Sequence, residues 1–242
     1  MVFFDKFKKS KPQANNTQVA VLAVGDASPN TGYDSDTFWI EDGVLVKYYG
    51  SAGRVHIPES VKKIGDFAFG NNETVEEVTM SDSVTEIMEK SFYGCVKLRK
   101  IKLSNSITTV GKYAFNKCVS LANLDLPLSV AHIGDYAFSD CKSLKQLELH
   151  DGVTDAGTGA FAHCEGIERV KLSANMKTIS DAMFYGCSSL KFIYLPKNVI
   201  AIGRDAFSQC RNLERVSSAN GNGIKGISIG SNAFYGDTKI VW

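Results

Sequence analysis

The apolar positions of this chain return on a fixed step. Phe69, Phe92, Phe115, Phe138, Phe161, Phe184 and Phe207 stand 23 residues apart. Six residues beyond each comes Val75, Leu98, Leu121, Leu144, Ile167, Leu190 or Leu213, and nine beyond comes Val78, Ile101, Leu124, Leu147, Val170, Ile193 or Val216. Eleven beyond the first six come Met80, Leu103, Leu126, Leu149, Leu172 and Leu195. The run apolar-x-x-apolar-x-apolar alternates with period two, which predicts a short strand in every copy. A second apolar pair follows, from Val84/Ile87 through Val199/Ile202, with Val153/Ala156 its weakest member. Glycine then recurs at 65, 111, 134, 157 and 203, read here as a turn position using positive φ.

A unit of 23 residues cannot bury these columns alone. They become a core when copies stack and each column packs on its own image in the next coil. Three residues after the last six phenylalanines stand Cys95, Cys118, Cys141, Cys164, Cys187 and Cys210, which uses all six cysteines of the protein. Equivalent positions in adjacent coils lie about 4.8 Å apart with parallel side chains, a geometry unsuited to disulfides or to four ligands converging on zinc. The thiols are therefore read as free and buried, which favours a reducing compartment.

The segments CKSLKQLELHDGV, CVSLANLDLPLSVAHIGDYAF and CSSLKFIYLPKNVIAIGRDAF resemble leucine-rich repeats of the BspA-like type over about 43–234. The resemblance implies a repeat solenoid: a curved right-handed coil with parallel strands and short helical or 3-10 turns. It also implies a binding or adhesion role, commonly on bacterial surfaces. The ends depart from the pattern. Two apolar runs around Asp42-Gly43 predict a β-hairpin that caps the exposed first coil, aided by VAVLAV at 19–24. At the other end Phe234 follows Phe207 by 27 residues, so four extra residues bulge out between Val216 and Ile229. The organisation expected is tail and loop over 1–36, capping hairpin over 37–56 and solenoid over 57–242.

Charge narrows the partners little. With 27 basic and 26 acidic residues the net charge is +1, so no field steers the chain to nucleic acid or anionic lipid. The longest uncharged run, Pro12 to Gly25, is too short for the roughly 20 residues of a membrane span. No secretory leader is visible at the N-terminus. A cytoplasmic location is expected, with surface display or non-classical export as the alternative.

Catalytic chemistry finds no foothold. GNGIKG at 221–226 matches G-x-G-x-x-G, but another repeat follows it where a dinucleotide site needs a helix. His56, His132, His150 and His163 occupy four different columns, and the His163-Cys164 pair lacks an orienting acid. No catalytic residue, metal site or cofactor is assigned. What remains is the outward strand face: Glu77/Thr79, Lys100/Lys102, Asn123/Asp125, Gln146/Glu148, Arg169/Lys171, Phe192/Tyr194 and Arg215/Ser217. Phe192 and Tyr194 beside Arg169, Lys171 and Arg215 have the composition of an interface hot spot. The expected function is a non-enzymatic scaffold, a monomer or weak oligomer, binding another protein or a glycan there. A structural, self-assembling or adhesive module without a discrete site is the alternative.

Overall fold

The computed structural model describes residues 37–219, 224–234 and 239–240. The expected tail, VAVLAV, and the first part of the glycine-rich segment lie outside the described residues. The chain opens with a hairpin, β1 (Phe38–Glu41) antiparallel to β2 (Val44–Tyr48). Its turn places Asp42 at φ 49° and Gly43 at φ 75°, the consecutive left-handed residues that a tight two-residue hairpin requires.

From there the chain coils into a parallel-stranded solenoid with two ladders. The first ladder holds β3 (Arg54–His56), β5 (Glu77–Thr79), β7 (Lys100–Lys102), β10 (Gln146–Glu148), β12 (Arg169–Lys171), β14 (Phe192–Leu195), β16 (Arg215–Ser218) and β18 (Lys239–Ile240). The second runs from β2 through β4 (Lys63–Ile64), β6 (Glu86–Ile87), β8 (Thr109–Val110), β9 (His132–Ile133), β11 (Asp155–Ala156), β13 (Thr178–Ile179) and β15 (Ala201–Ile202) to β17 (Ser228–Ile229). Register follows the sequence period: Val78 sits opposite Ile101, Leu147 opposite Val170 and Ile193 opposite Val216. Residues 123–125 keep the inward Leu124 buried but do not join the first ladder.

The core is a set of columns. Phe69 through Phe207 are fully buried and stack ring on ring, from 4.7 Å between Phe69 and Phe92 to 5.8 Å between Phe161 and Phe184. The hairpin extends this column, since Tyr48 stacks on Phe69 at 4.8 Å and Phe38 lies against Tyr48 at 5.2 Å. At the far end Phe234 stacks on Phe207 at 5.5 Å, so the column resumes in register despite the 27-residue step.

Each buried thiol has one task. Cys95 Sγ donates to Phe69 O at 3.2 Å and Cys118 Sγ to Phe92 O at 3.2 Å, and the same bond recurs through Cys210 and Phe184 O at 3.1 Å. All six thiols are free and buried. In the first coil the column holds Asn72, whose Nδ2 donates back to Gly50 O at 3.2 Å. Its Oδ1 accepts from Val75 N at 2.8 Å, so the side-chain amide of this Asn-x-Thr sequon is already engaged.

Two expectations about the corner change. The corners are overlapping turns, and no α-helix occurs among the described residues. Within residues 67–72, Ala68, Gly70 and Asn72 donate three residues back, while Phe67, Phe69 and Asn71 donate to Glu89, Ser91 and Tyr93 of the next coil. A 3-10 helix would consume every one of these donors internally; here alternate donors are turned sideways. Left-handed residues do the turning, at Phe67 (φ 57°) and Asn71 (φ 57°), then at Lys90 (φ 55°) and Gly94 (φ 70°) one coil on. The glycines at 65, 111, 134, 157 and 203 have another reason. They lie outside the left-handed set, and a Cβ at Gly111 would sit 2.7 Å from Ile87 O, while one at Gly203 would sit 2.5 Å from Asp181 N. They let neighbouring coils approach closely.

At one junction both ladders lapse together, between the coil of β11/β12 and the coil of β13/β14. Ser180 stands there in the glycine column, and its Oγ donates to Ala156 O at 2.5 Å. Elsewhere that carbonyl position accepts a backbone N–H, as in Gly134 N to Val110 O at 2.8 Å and Gly203 N to Ile179 O at 2.7 Å. A serine hydroxyl bond thus stands where the other coils carry a backbone bond, the kind of local competition that short hydroxyl side chains can offer. The phenylalanine spacing reaches its widest value, 5.8 Å, across the same junction, and Val170 on β12 is left partly exposed. Corner bonds still cross it, including Phe161 N to Met183 O at 3.0 Å and His163 N to Tyr185 O at 2.6 Å.

Candidate recognition face

Strand alternation in the first ladder decides which side chains reach solvent. On β14, Ile193 and Leu195 are buried, while Phe192 is 54% and Tyr194 57% exposed. Parallel register with β16 sets Arg215 beside Phe192 and Ser217 beside Tyr194. Arg169 and Lys171 project from β12, on the other lip of the seam. The structure therefore brings together the five residues chosen from sequence: two exposed aromatics in the middle strand, with cations on both flanks.

The cations are not equivalent. Lys171 is paired with Glu148 one coil back, and that hydrogen bond and charge hold its ammonium above the usual lysine range. Arg169 and Arg215 make no ion pair among the described residues. Other exposed charges pair between coils, as in Arg54–Glu77 at 3.5 Å, Glu76–Arg99 at 2.5 Å and Lys142–Glu165 at 2.8 Å. Such pairs contribute little stability individually, but they cancel charge locally.

Sequence reasoning missed a second aromatic set. Phe67, Tyr93, Tyr113 and Tyr136 line the corner, with Tyr113 and Tyr136 stacked at 5.2 Å. Lys47, Lys90, Lys112 and Lys117 lie over these rings at 5.1 to 5.5 Å. Lys117 is held protonated by its bond to the Tyr93 hydroxyl, and Lys90 by its bond to Glu89. Lys47 is pushed the other way by burial and donates to Phe67 O at 3.1 Å. The signal was legible in the columns two before and one after each core Phe. The lysines there are already engaged by rings, carboxylates and carbonyls of this chain.

The remaining candidates stay apart. His163 is exposed against Tyr185 at 5.1 Å, while Cys164 points inward to Phe138 O at 3.1 Å. His132 pairs with Asp155 at 2.5 Å, and His150 with Pro127 O at 2.8 Å. Among the described residues no three His, Cys, Asp or Glu side chains group to hold a metal, and no helix is long and apolar enough to cross a membrane. Of GNGIKG the described part, Ile224 to Gly226, is a turn leading into β17, with Gly226 at φ 83°.

Comparison with known proteins agrees with this geometry. A family model described as a BspA type leucine rich repeat region (6 copies) matches residues 47–139 and 108–241. A solved leucine-rich repeat protein from Bacteroides ovatus is 32% identical with a TM-score of 0.70, covering 78% of this chain and 50% of its own. The chain thus spans half the length of that protein. A leucine rich repeat protein of T. pallidum is 25% identical with a TM-score of 0.59, covering 82% of this chain and 85% of its own. Among curated proteins none matches.

Proposed function

The chain belongs to the family of the BspA type leucine rich repeat, and from that premise we propose that it is a non-enzymatic recognition scaffold binding another protein on the first-ladder face. Repeats of this family serve protein interaction or structural support. The finer assignment centres on Phe192 and Tyr194, flanked by Arg169, Lys171 and Arg215. One observation carries it: two large aromatics more than half exposed side by side on a strand whose alternate residues are buried. A rigid stacked face loses little freedom on binding, so exposed aromatics there convert efficiently into affinity. The six unpaired thiols support a cytoplasmic setting, which fractionation of the native cell checks.

The test is capture from that cell's lysate with wild-type chain and with Phe192→Ala/Tyr194→Ala. A protein retained by the first and lost by the second is the expected result. Equal retention by both, or retention by neither, overturns the assignment. A self-assembling module would instead associate with rising concentration and ignore the double substitution.

A further inference from the structure

The recognition reading leaves open the chemistry of the partner, and the charges around β14 bear on it. Three columns run along the solenoid there. The one holding Glu168, Lys191 and Glu214 alternates in sign, the arrangement that Glu76 and Arg99 realise as an ion pair at 2.5 Å four and three coils before Glu168 in the same column. The column of Tyr194 and Ser217 is neutral beyond Lys171, which Glu148 holds. The column of Phe192 is different. It reads Arg169, Phe192, Arg215, with both guanidiniums exposed and neither in an ion pair among the described residues. Two forked cations bracket an aromatic ring, and the next positions of the column, Gln146 before and Lys239 after, bring no carboxylate beside them.

Resting on the recognition reading above, we propose that this column takes an extended acidic segment of a partner protein, two carboxylates engaging Arg169 and Arg215 while an apolar side chain between them lies on Phe192 and Tyr194. The spacing sets the pattern. Arg169 and Arg215 are two coils apart, about 10 Å at the strand separation of a sheet. A polyproline II segment advances about 9.3 Å in three residues and returns to the same face. An acid-x-x-acid segment lying along the solenoid axis therefore matches both guanidiniums, and guanidinium forks suit carboxylates bidentately. Such a segment has no internal hydrogen bonds to break on docking. The apolar residue between the acids meets the rings.

The experiment is selection of a displayed random dodecapeptide library on the full chain, followed by fluorescence anisotropy with the selected peptides. Two acids three residues apart around an apolar residue is the expected consensus. Arg169→Glu/Arg215→Glu should weaken these peptides about tenfold or more, as should raising NaCl from about 50 to 500 mM. Both sites are exposed, and circular dichroism verifies that the variants fold. A neutral or basic consensus that still depends on Phe192 and Tyr194 overturns the acidic segment and leaves the recognition reading standing. Peptides indifferent to both double substitutions, or no enrichment, overturn the two together. Capture of heparin in place of any peptide assigns the guanidiniums to an anionic glycan and overturns the proposal.

Discussion

The coils from β6 to β11 and the junction between β11/β12 and β13/β14 are built from one repeat, yet they stack differently. In the former the second ladder is continuous and glycines at 111, 134 and 157 bring backbones into direct hydrogen bonds. At the junction a serine hydroxyl takes the carbonyl, both ladders lapse, and the ring spacing opens to 5.8 Å. What survives there is the corner and the phenylalanine column. The comparison teaches that buried columns and corner bonds carry the stack, while the ladders tighten it. In a repeat protein each coil meets only its neighbours, so one looser interface is a natural place for the stack to part.

The largest effect expected is in the column itself. Phe115 stacks between Phe92 at 5.0 Å and Phe138 at 5.1 Å, inside the tight region. Phe115→Ala should cost about 3–5 kcal/mol, through lost burial and the cavity left behind. Phe184 faces the seam at 5.8 Å, and Phe184→Ala should fall at or below the low end of that range because looser surroundings collapse more readily. Denaturant unfolding of both variants measures the difference. Equal costs, or a larger one at Phe184, would remove the distinction between the two regions.

Thiol chemistry comes next. Burial pushes Cys95 and Cys210 up to about 12, and raises Cys118, Cys141 and Cys187 as well. The folded chain holds these protons where an unfolded thiol, at about 8.5, has released them. Unfolding then releases protons, and stability falls as pH rises. The contribution is full below about pH 8.5 and is lost progressively toward pH 12, which unfolding midpoints across that window will report. The seam adds an order to labelling. If the stack parts there, a thiol reagent in mild denaturant should reach Cys187 and Cys210 before Cys118 and Cys141. Simultaneous labelling of all four would mean that the solenoid opens as one unit.

How much of this was legible beforehand depends on which atoms carry each feature. The period of Phe, Cys and Leu is a side-chain pattern, so the solenoid, the hairpin at Asp42-Gly43 and the outward placement of Phe192 and Tyr194 could all be read from residue types. The corner could not. Its left-handed positions hold Phe67, Lys90, Tyr113 and Tyr136, residues that ordinarily avoid such backbone, held there because alternate donors bond the next coil. The glycines were found, but positive φ was assigned to them when close approach is what they supply. The lysine–aromatic set at the corner was missed although Phe67, Tyr113 and Tyr136 share one column, because the columns it joins carry no continuous apolar period. Ser180 breaks the glycine column, and nothing in the sequence says whether its hydroxyl will take a carbonyl.

Ser180 supplies the smallest and most discriminating prediction. Ser180→Gly removes the hydroxyl, frees Ala156 O for the backbone N–H of residue 180, and should join β11 to β13 as β9 joins β11. Global stability should move by less than about 1 kcal/mol, because the added backbone bond is opposed by the conformational freedom glycine brings to the unfolded chain. Amide exchange is the sensitive readout, with protection rising at residues 178–180. Bulk and hydroxyl can be told apart in the same column. Met88 occupies it one coil before Gly111, and its N–H still reaches Ile64 O at 2.9 Å with the ladder intact. Ser180→Met should therefore restore protection as Ser180→Gly does. If only the glycine variant does so, crowding opens the seam and the hydroxyl is incidental.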